Sequence, residues 1–225
     1  MDIAYILNRS KRRTIAIYIR DGGVEVRAPM RTSVREIEQF LSEKQKWILT
    51  HLSQSKEQSE RKQGFTLNYG DKVLYSGKQY AITPSSSGRI GVSNDSFYIP
   101  AGLPCEQIKS ACVEIYKILA KSDFTLKVYD YAAKMSVMPT SVRVNSATSR
   151  WGSCSAKKSL NFSWRLIMAD DDVIDYVIVH ELAHLLEMNH SVRFWAVVER
   201  VMPDYRERKV KLKELHQKLN VEDWE

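Results

Sequence analysis

The chain has 225 residues, enough to bury a full hydrophobic core as one large domain or two small lobes. Its composition, 44% hydrophobic and 27% charged, excludes an intrinsically disordered protein, and no stretch approaches the roughly eighteen uninterrupted apolar residues of a membrane span. The net charge of +7 comes largely from the first 35 residues, which hold eight Arg and Lys against three Asp and Glu. Such a basic surface attracts nucleic acid, nucleotides or acidic peptides in some proteins and is simply a solvated face in others.

The N-terminal segment and the cysteines predict a cytoplasmic protein. An acidic residue at position 2, a short apolar run and a basic cluster follow one another in an order that is wrong for a secretory signal. The three cysteines, Cys105, Cys112 and Cys154, form no CxxC pair and cannot all be bridged. This pattern is typical of reduced thiols in the cytosol.

The first predicted elements are two strands that form a hairpin. Residues 14–19 and 24–27 are short β-prone runs on either side of Asp21, Gly22 and Gly23, which together are a strong hairpin signal. Pro29 closes this pair of strands.

A helix is predicted directly after the hairpin. Ser33 and Glu36, three residues apart, form a capping box at its start. Apolar residues follow helical spacing from there to Leu52, which predicts a core position for Trp47. The polar residues 53–63 are interpreted as a solvated helix end or a linker.

A second β-rich stretch precedes a helical C-terminal half. Four β-prone runs, separated by turn residues, lie at 72–75, 79–83, 89–92 and 96–99. Helical periodicity then covers residues 104 to about 135, and strands at 142–145 and 160–164 flank the segment SRWGSCSAKKS. Three helices follow, one over residues 173–188 behind the aspartates at 170–172, one from near Ser191 and one from Pro203. These elements predict an α+β fold.

The run HELAHLLEMNH, residues 180–190, is the strongest functional signal. It holds three of the five histidines in the chain and begins with the HExxH pattern. On a helix, positions i and i+4 lie on one face, so His180 and His184 can reach a single metal ion. Glu181 then projects beside the metal, where it can take a proton from water. Since catalytic zinc has three protein ligands and an open position, the pattern predicts a hydrolytic zinc site.

A third ligand from this run requires the chain to change direction. Six residues beyond His184 correspond to about 600° of helix rotation, so His190 cannot face the metal from an unbroken helix. The helix must end first, and Asn189, a residue that tolerates left-handed backbone geometry, is well placed for that stop. His190 is the favoured third ligand. The alternative is that His190 only caps a turn and Glu199 binds the metal from the next helix.

The sequence resembles a known family over most of its length. The resemblance lies in RRTIAIYIRDGGVEVRAP with Trp47 and Ile48 downstream, in SRWGSCS, in LNFSWRL, in IDYVIVHELAHLLEMNHSVRFW and in MPDY. The chain is similar to the YgjP-like metallopeptidases, which are related to the SprT-like and WLM groups of zincins. The resemblance implies a zincin-like catalytic part, zinc bound by His180, His184 and His190, and Glu181 as catalytic acid and base. The histidine spacing also matches metzincins, but Glu187 stands where they have a glycine.

Several further residues are candidates for substrate binding. In zincins, a sheet edge beside the helix can bind an extended substrate by strand addition, and a glycine permits close approach. Arg150, Trp151, Gly152 and Ser153 are therefore candidates, with Arg150 orienting an anionic substrate; the alternative is a structural turn with Trp151 in the core. Tyr205 either donates to a developing oxyanion or packs. Cys154 is not expected to bind zinc or act as a nucleophile.

These observations predict one zincin-like α+β unit over residues 1–225, with an N-terminal β-rich part to about residue 103 and a helical catalytic part from about residue 104. We expect one zinc ion per chain and zinc-dependent hydrolysis, with a peptide or protein as the substrate that the resemblance implies. Hydrolysis of a phosphoanhydride such as a nucleoside triphosphate is an alternative, because the basic charge favours such a substrate. A second alternative is a nucleic-acid-associated module with structural zinc, although such a site has no use for Glu181.

Overall fold

A computed structural model describes residues 3–20 and 22–224. The mixture of helices and strands confirms the predicted α+β class. The chain divides into two compact units, one with residues up to Phe65 and the segment Lys218–Asp223, the other with Thr66–Gln217 and Trp224. The predicted boundary near residue 103 between a β-rich and a catalytic part stays a prediction. Among the described residues, no helix has the length and apolar character that crossing a membrane requires.

The first unit contains a three-stranded sheet. Its strands are β1 (Tyr5–Ser10), β2 (Ala16–Arg20) and β3 (Gly23–Pro29), in the order β1-β3-β2. The antiparallel pairing of β2 with β3 and the end of β3 at Pro29 confirm the predicted hairpin strands, while Asp21 of the turn lies outside the described residues. β1 pairs with β3 in parallel, a pairing that the sequence analysis did not predict.

Two helices follow where one continuous periodic segment was expected. α1 (Val34–Glu43) begins with the predicted capping box, and α2 (Gln45–Gln63) extends through the polar segment, which is therefore a helix end. The core position predicted for Trp47 is wrong: its side chain is 43% exposed, and its ring stacks on His51 at 4.2 Å. The chain leaves helical geometry at Lys44, which shifts the phase of the apolar positions and turns Trp47 towards solvent. Residues from both helices and from β3 form the core of this unit: Val24, Val26, Ala28, Ile37, Leu41 and Ile48.

The second unit begins with a four-stranded sheet. All four predicted strands are confirmed as β4 (Lys72–Tyr75), β5 (Lys78–Ser85), β6 (Gly91–Ser93) and β7 (Ser96–Pro100), in the order β4-β5-β7-β6. The turn between β4 and β5 lies against the segment that leads into the candidate site, where the Ser76 amide donates to the carbonyl of Ile167 at 2.9 Å. Gly77 in this turn has φ +73°, and a Cβ there would collide with the carboxylate of Asp170.

A long helix and a smaller sheet form the centre of the second unit. They are α3 (Cys105–Lys134), β8 (Ser141–Asn145), β9 (Gly152–Cys154) and β10 (Ser159–Ser163), followed by a short 3-10 helix, Trp164–Met168. The sheet order β8-β10-β9 places β9 at an edge, antiparallel to β10. In the core, the ring of Tyr116 on α3 stacks on Trp164 at 5.5 Å, and its hydroxyl donates to the carbonyl of Leu74.

Three more helices follow: α4 (Asp171–Ala183), α5 (Val192–Val201) and α6 (Tyr205–Leu219), all in the second unit except the last two residues of α6. Asp170 is the N-cap of α4, and nine of the thirteen residues of α4 are buried, as its apolar sequence predicted. α6 is fixed to the start of α4, because Lys211 forms an ion pair with Asp172 at 2.7 Å. The predicted extension of α4 to residue 188 is wrong, since the helix ends at Ala183 and His184 is its C-cap. Asn189 is not among the described residues with positive φ, so it does not make the predicted left-handed stop.

Candidate active site

Three histidines from one helix and the following loop converge. His180 lies in the last turn of α4 and His184 caps it, so the i, i+4 spacing brings both rings to one side, with centroids 5.1 Å apart. Because α4 ends at Ala183, the chain turns back and brings His190 to within 4.9 Å and 4.7 Å of the other two rings. One ligand atom from each histidine lies within 4.8 Å of the others. The turn required by the sequence argument is therefore present, although it begins earlier than predicted.

Two nitrogen atoms of this triad are spaced like ligands of a tetrahedral metal ion. His180 Nε2 and His190 Nε2 are 3.0 Å apart. Two ligands of a tetrahedral zinc ion with bonds of about 2.0–2.1 Å are separated by about 3.3 Å, so the observed spacing lies within a few tenths of an ångström of the requirement. His184 Nδ1 is 3.2 Å from the carbonyl oxygen of Glu187, which can only accept a hydrogen bond. That contact places the proton on Nδ1 and leaves the Nε2 lone pair for a metal ion.

Burial favours the neutral, metal-binding form of two histidines of the triad, His180 and His184. It lowers the pKa of His180 to about 3, and the neighbouring His184 and His190 lower it further in the same direction. Burial also lowers the pKa of His184, although the hydrogen bond to Glu187 opposes the shift. Neutral imidazole is the ligand form of histidine, and three imidazole rings are a donor set suited to a zinc-type divalent ion.

Glu181 lies in a buried position beside the triad. Glu181 is the residue directly after His180 in α4, and it is only 6% exposed. Burial raises the pKa of Glu181 to about 7, and the positive charge of Arg150 offsets part of that rise. A carboxyl group with a pKa near neutrality can both take and return a proton, which is the property required of a general acid and base.

Gly152 is the point of closest approach between the sheet edge and Glu181. A Cβ added at Gly152, the first residue of β9, would lie 2.6 Å from both Cγ and Oε1 of Glu181. Real Cβ atoms do not approach other heavy atoms so closely, so only glycine leaves room for this side chain. Gly152 was expected to permit close approach by a substrate, whereas the group that approaches it here is Glu181.

The other predicted substrate-binding residues lie around this point. Arg150 is exposed, and Trp151 is half-buried with its ring edge-on to His216 at 6.0 Å. The Trp151 carbonyl accepts a hydrogen bond from the Ser163 amide at 2.8 Å. Ser153 stands opposite Asn161 in the β9–β10 pairing, and one side of β9 carries no neighbouring strand among the described residues. The structure therefore has the edge that strand addition requires.

Two residues considered as metal ligands lie outside the triad. Glu199 pairs with Arg206 at 2.8 Å and is not part of the cluster of described residues that can share a metal ion. Burial raises the pKa of Cys154, and the nearby Glu181 raises it further, which keeps the thiol protonated. Neither arrangement favours these residues over His190.

Aromatic rings pack against the triad, and the sequence did not assign them to the site. Phe194 is fully buried on α5, and its ring centroid is within 4.9 Å of all three imidazoles. Trp195 stacks on His190 at 5.9 Å and on Tyr205 at 5.2 Å. Tyr205 thus packs one ring away from the triad and is 6% exposed. The adjacent Phe-Trp pair close behind the last histidine was the available signal for this packing.

A cleft of about 730 Å³ opens beside the triad. Its lining combines aromatic residues of the site with one face of α6, and we call it the basic cleft: Ser149, Trp151, Trp195, Tyr205, Arg206, Lys209, Val210, Leu212, Lys213 and His216. The cleft residues of α6 are spaced with the helical period, so the cations among them line one side of the cleft. No sequence pattern predicted this feature, because α6 is charged on most faces.

Comparison with known proteins gives one family and two related structures. The family described as YgjP-like, metallopeptidase domain, matches residues 13–215. No curated protein matches the chain. The zymogen of the metallopeptidase abylysin from Pyrococcus abyssi matches 44% of this chain and 98% of its own at 22% identity and a TM-score of 0.39. The zymogen of the metallopeptidase jannalysin from Methanocaldococcus jannaschii matches 40% of this chain and 94% of its own, at 18% identity and a TM-score of 0.37.

Proposed function

The chain belongs to the YgjP-like metallopeptidases, hydrolases whose family implies a divalent metal and a peptide or protein substrate, and we propose that the metal in this member is zinc. We assign one zinc ion per chain to His180, His184 and His190. The observation that carries the proposal is the convergence of three imidazoles on α4 and its following loop. Zinc matches this donor set better than magnesium or calcium, which prefer oxygen ligands.

We propose that Glu181 is the catalytic acid and base. When bound, zinc supplies Lewis acidity, which brings the pKa of water close to neutrality and polarises a carbonyl group. Glu181 takes a proton from the attacking water and returns it to the leaving amine. Its burial against Gly152 shields the carboxylate from solvent, which supports this role. A positioned group of this kind contributes about 10² to 10⁴ in rate.

The proposed function is tested by an activity screen of the zinc-loaded protein. We expect cleavage of peptide bonds in a peptide library, loss of that activity with a chelator and recovery on addition of zinc. The same protein is assayed against a panel of nucleoside triphosphates, because the cations of the basic cleft also suit phosphates. Hydrolysis of the nucleotides without cleavage of any peptide would replace the peptidase proposal with the phosphoanhydride alternative.

Zinc content distinguishes the two candidates for the third ligand. Purified protein should hold about one zinc per chain, because three imidazoles and one further ligand complete a tetrahedral shell. His190→Ala should lower that occupancy strongly, whereas Glu199→Ala should leave it unchanged, since Glu199 pairs with Arg206. Metal analysis of the two variants purified in parallel measures the difference. Loss of zinc only in Glu199→Ala would show that His190 is not the third ligand.

Amide exchange tests whether β9 binds the substrate backbone. We propose that an extended peptide pairs with the free side of β9. The Trp151 carbonyl already bonds to Ser163, so in the alternating pattern of an antiparallel pair the backbone groups of Gly152 and Cys154 face that side. A peptide-like inhibitor should therefore slow hydrogen exchange of the Gly152 and Cys154 amides, next to Trp151. The inhibitor should leave exchange in β6, a second edge strand, unchanged. Unchanged exchange around Trp151 with inhibitor bound at the triad would favour a purely structural role for this segment.

A further inference from the structure

The basic cleft carries two cations whose charges are not compensated. Arg206 is neutralised by Glu199 at 2.8 Å. Lys209 and Lys213 have no acidic partner among the described residues, and both are exposed on the face of α6 that lines the cleft. The Lys209 ammonium lies 5.1 Å from the centroid of the Trp195 ring. The cleft therefore presents positive charge above an aromatic wall.

The basic cleft is continuous with the candidate active site through two tryptophans. Trp195 forms part of the cleft wall and also stacks on His190 of the triad. Trp151 forms another part of the wall and immediately precedes Gly152, the residue against which Glu181 lies. A substrate with its scissile bond at the triad can therefore place a neighbouring group in the cleft.

We propose that the basic cleft is a specificity pocket for a carboxylate of the substrate, namely the side chain of a glutamate or aspartate near the scissile bond. This inference rests on the proposed peptidase function. Lys209 and Lys213 supply the opposite charge, and Val210 and the two tryptophans supply apolar surface for the methylene groups of a glutamate. The guanidinium of Arg206 already donates to Glu199 from one nitrogen, so the cleft cations without an acidic partner among the described residues are the two lysines.

The test measures binding separately from cleavage. The parent probe is a fluorescein-labelled peptide that the wild-type protein cleaves, or a random-sequence peptide if none is cleaved. A series of peptides carries one glutamate at each position in turn, and each has a matched peptide with glutamine at that position. Binding to the zinc-loaded Glu181→Gln protein is followed by fluorescence anisotropy. We expect the best glutamate peptide to bind at least threefold more tightly than its glutamine partner, on the scale of exposed charge pairs.

Charge reversal of the two lysines should invert the preference. In Lys209→Glu/Lys213→Glu, the same position should favour lysine over glutamate. The control is Lys121→Glu/Lys218→Glu, which changes the net charge equally at exposed lysines outside the cleft and should keep the glutamate preference. Melting curves verify that the variants fold. If Lys209→Glu/Lys213→Glu does not fold, the single variants Lys209→Gln and Lys213→Gln replace it, and each should weaken the preference for glutamate. Peptides with a free or amidated C-terminus distinguish a side-chain carboxylate from a terminal one.

The results separate the pocket from the peptidase function. Peptide cleavage without any preference for glutamate, or a preference that survives charge reversal, would overturn the pocket and leave the peptidase intact. A glutamate preference without cleavage of any peptide by the wild-type protein would support the pocket and contradict the peptidase. Nucleoside triphosphate binding that charge reversal abolishes, with no glutamate preference, would assign the cleft to phosphate instead.

Discussion

Glu181→Gln should reduce hydrolysis by about 10² or more while zinc content and melting temperature stay close to those of the wild type. The amide is nearly isosteric with the carboxylate, but it cannot take a proton from water at neutral pH. Glu181 is not a member of the three-histidine cluster, so its replacement leaves the proposed ligands in place. Stability should change little, because a neutral amide in this buried position carries no charge to desolvate.

The measurement compares the rate of peptide hydrolysis with zinc content in the same preparations. His180→Ala is the contrasting variant, since it removes a proposed ligand from the buried helix α4 and should lose zinc, activity and stability together. A Glu181→Gln protein that hydrolyses the substrate at the wild-type rate would contradict the proton-transfer role. It would favour the alternative in which the zinc is structural.

Local spacing in the sequence predicted the parts of the site that depend on one helix. His180 and His184 lie on the same face of α4 because the helical period fixes residues four apart, and Ser33 and Glu36 form their capping box for the same reason. The need for a reversal before His190 also followed from that period. These relations involve neighbouring residues, so tertiary structure cannot alter them without breaking the helix.

Positions that depend on where a helix is interrupted were predicted less well. Trp47 was assigned to the core because the apolar pattern appears continuous, but the interruption at Lys44 changes which side of α2 is buried. In the same way, α4 ends at Ala183 although the apolar residues continue to Met188. Nothing in these stretches is a strong helix-stop signal such as glycine or proline.

The sequence patterns did not predict contacts between distant segments. The parallel pairing of β1 with β3 joins strands that are not consecutive, and the basic cleft combines residues near β9 with a face of α6. Phe194 was recognised only as part of a helix, although its ring contacts all three histidines. Periodicity reports which side of an element is apolar, but not which partner covers it.

Gly152→Ala should lower hydrolysis by about 10²-fold without removing zinc, because displacement of a catalytic group by about an ångström has effects of that size. The new Cβ would lie 2.6 Å from Cγ and Oε1 of Glu181, so the carboxylate must move. The displaced atoms are the end of a flexible side chain, so the melting temperature should fall only slightly. Gly91→Ala is the matched control: it also adds a methyl group in a short strand, where no heavy atom lies within 4 Å, and it should have wild-type activity.

A double-mutant cycle shows whether Gly152 acts through Glu181. If the added methyl group reduces activity only by displacing the carboxylate, it has nothing left to impair once the carboxylate is gone. Gly152→Ala/Glu181→Gln should therefore be no slower than Glu181→Gln alone, a strongly non-additive result for two residues in contact. A double variant slowed by the product of the two single effects would mean that Gly152 contributes separately, through the backbone of β9 that we propose for the substrate.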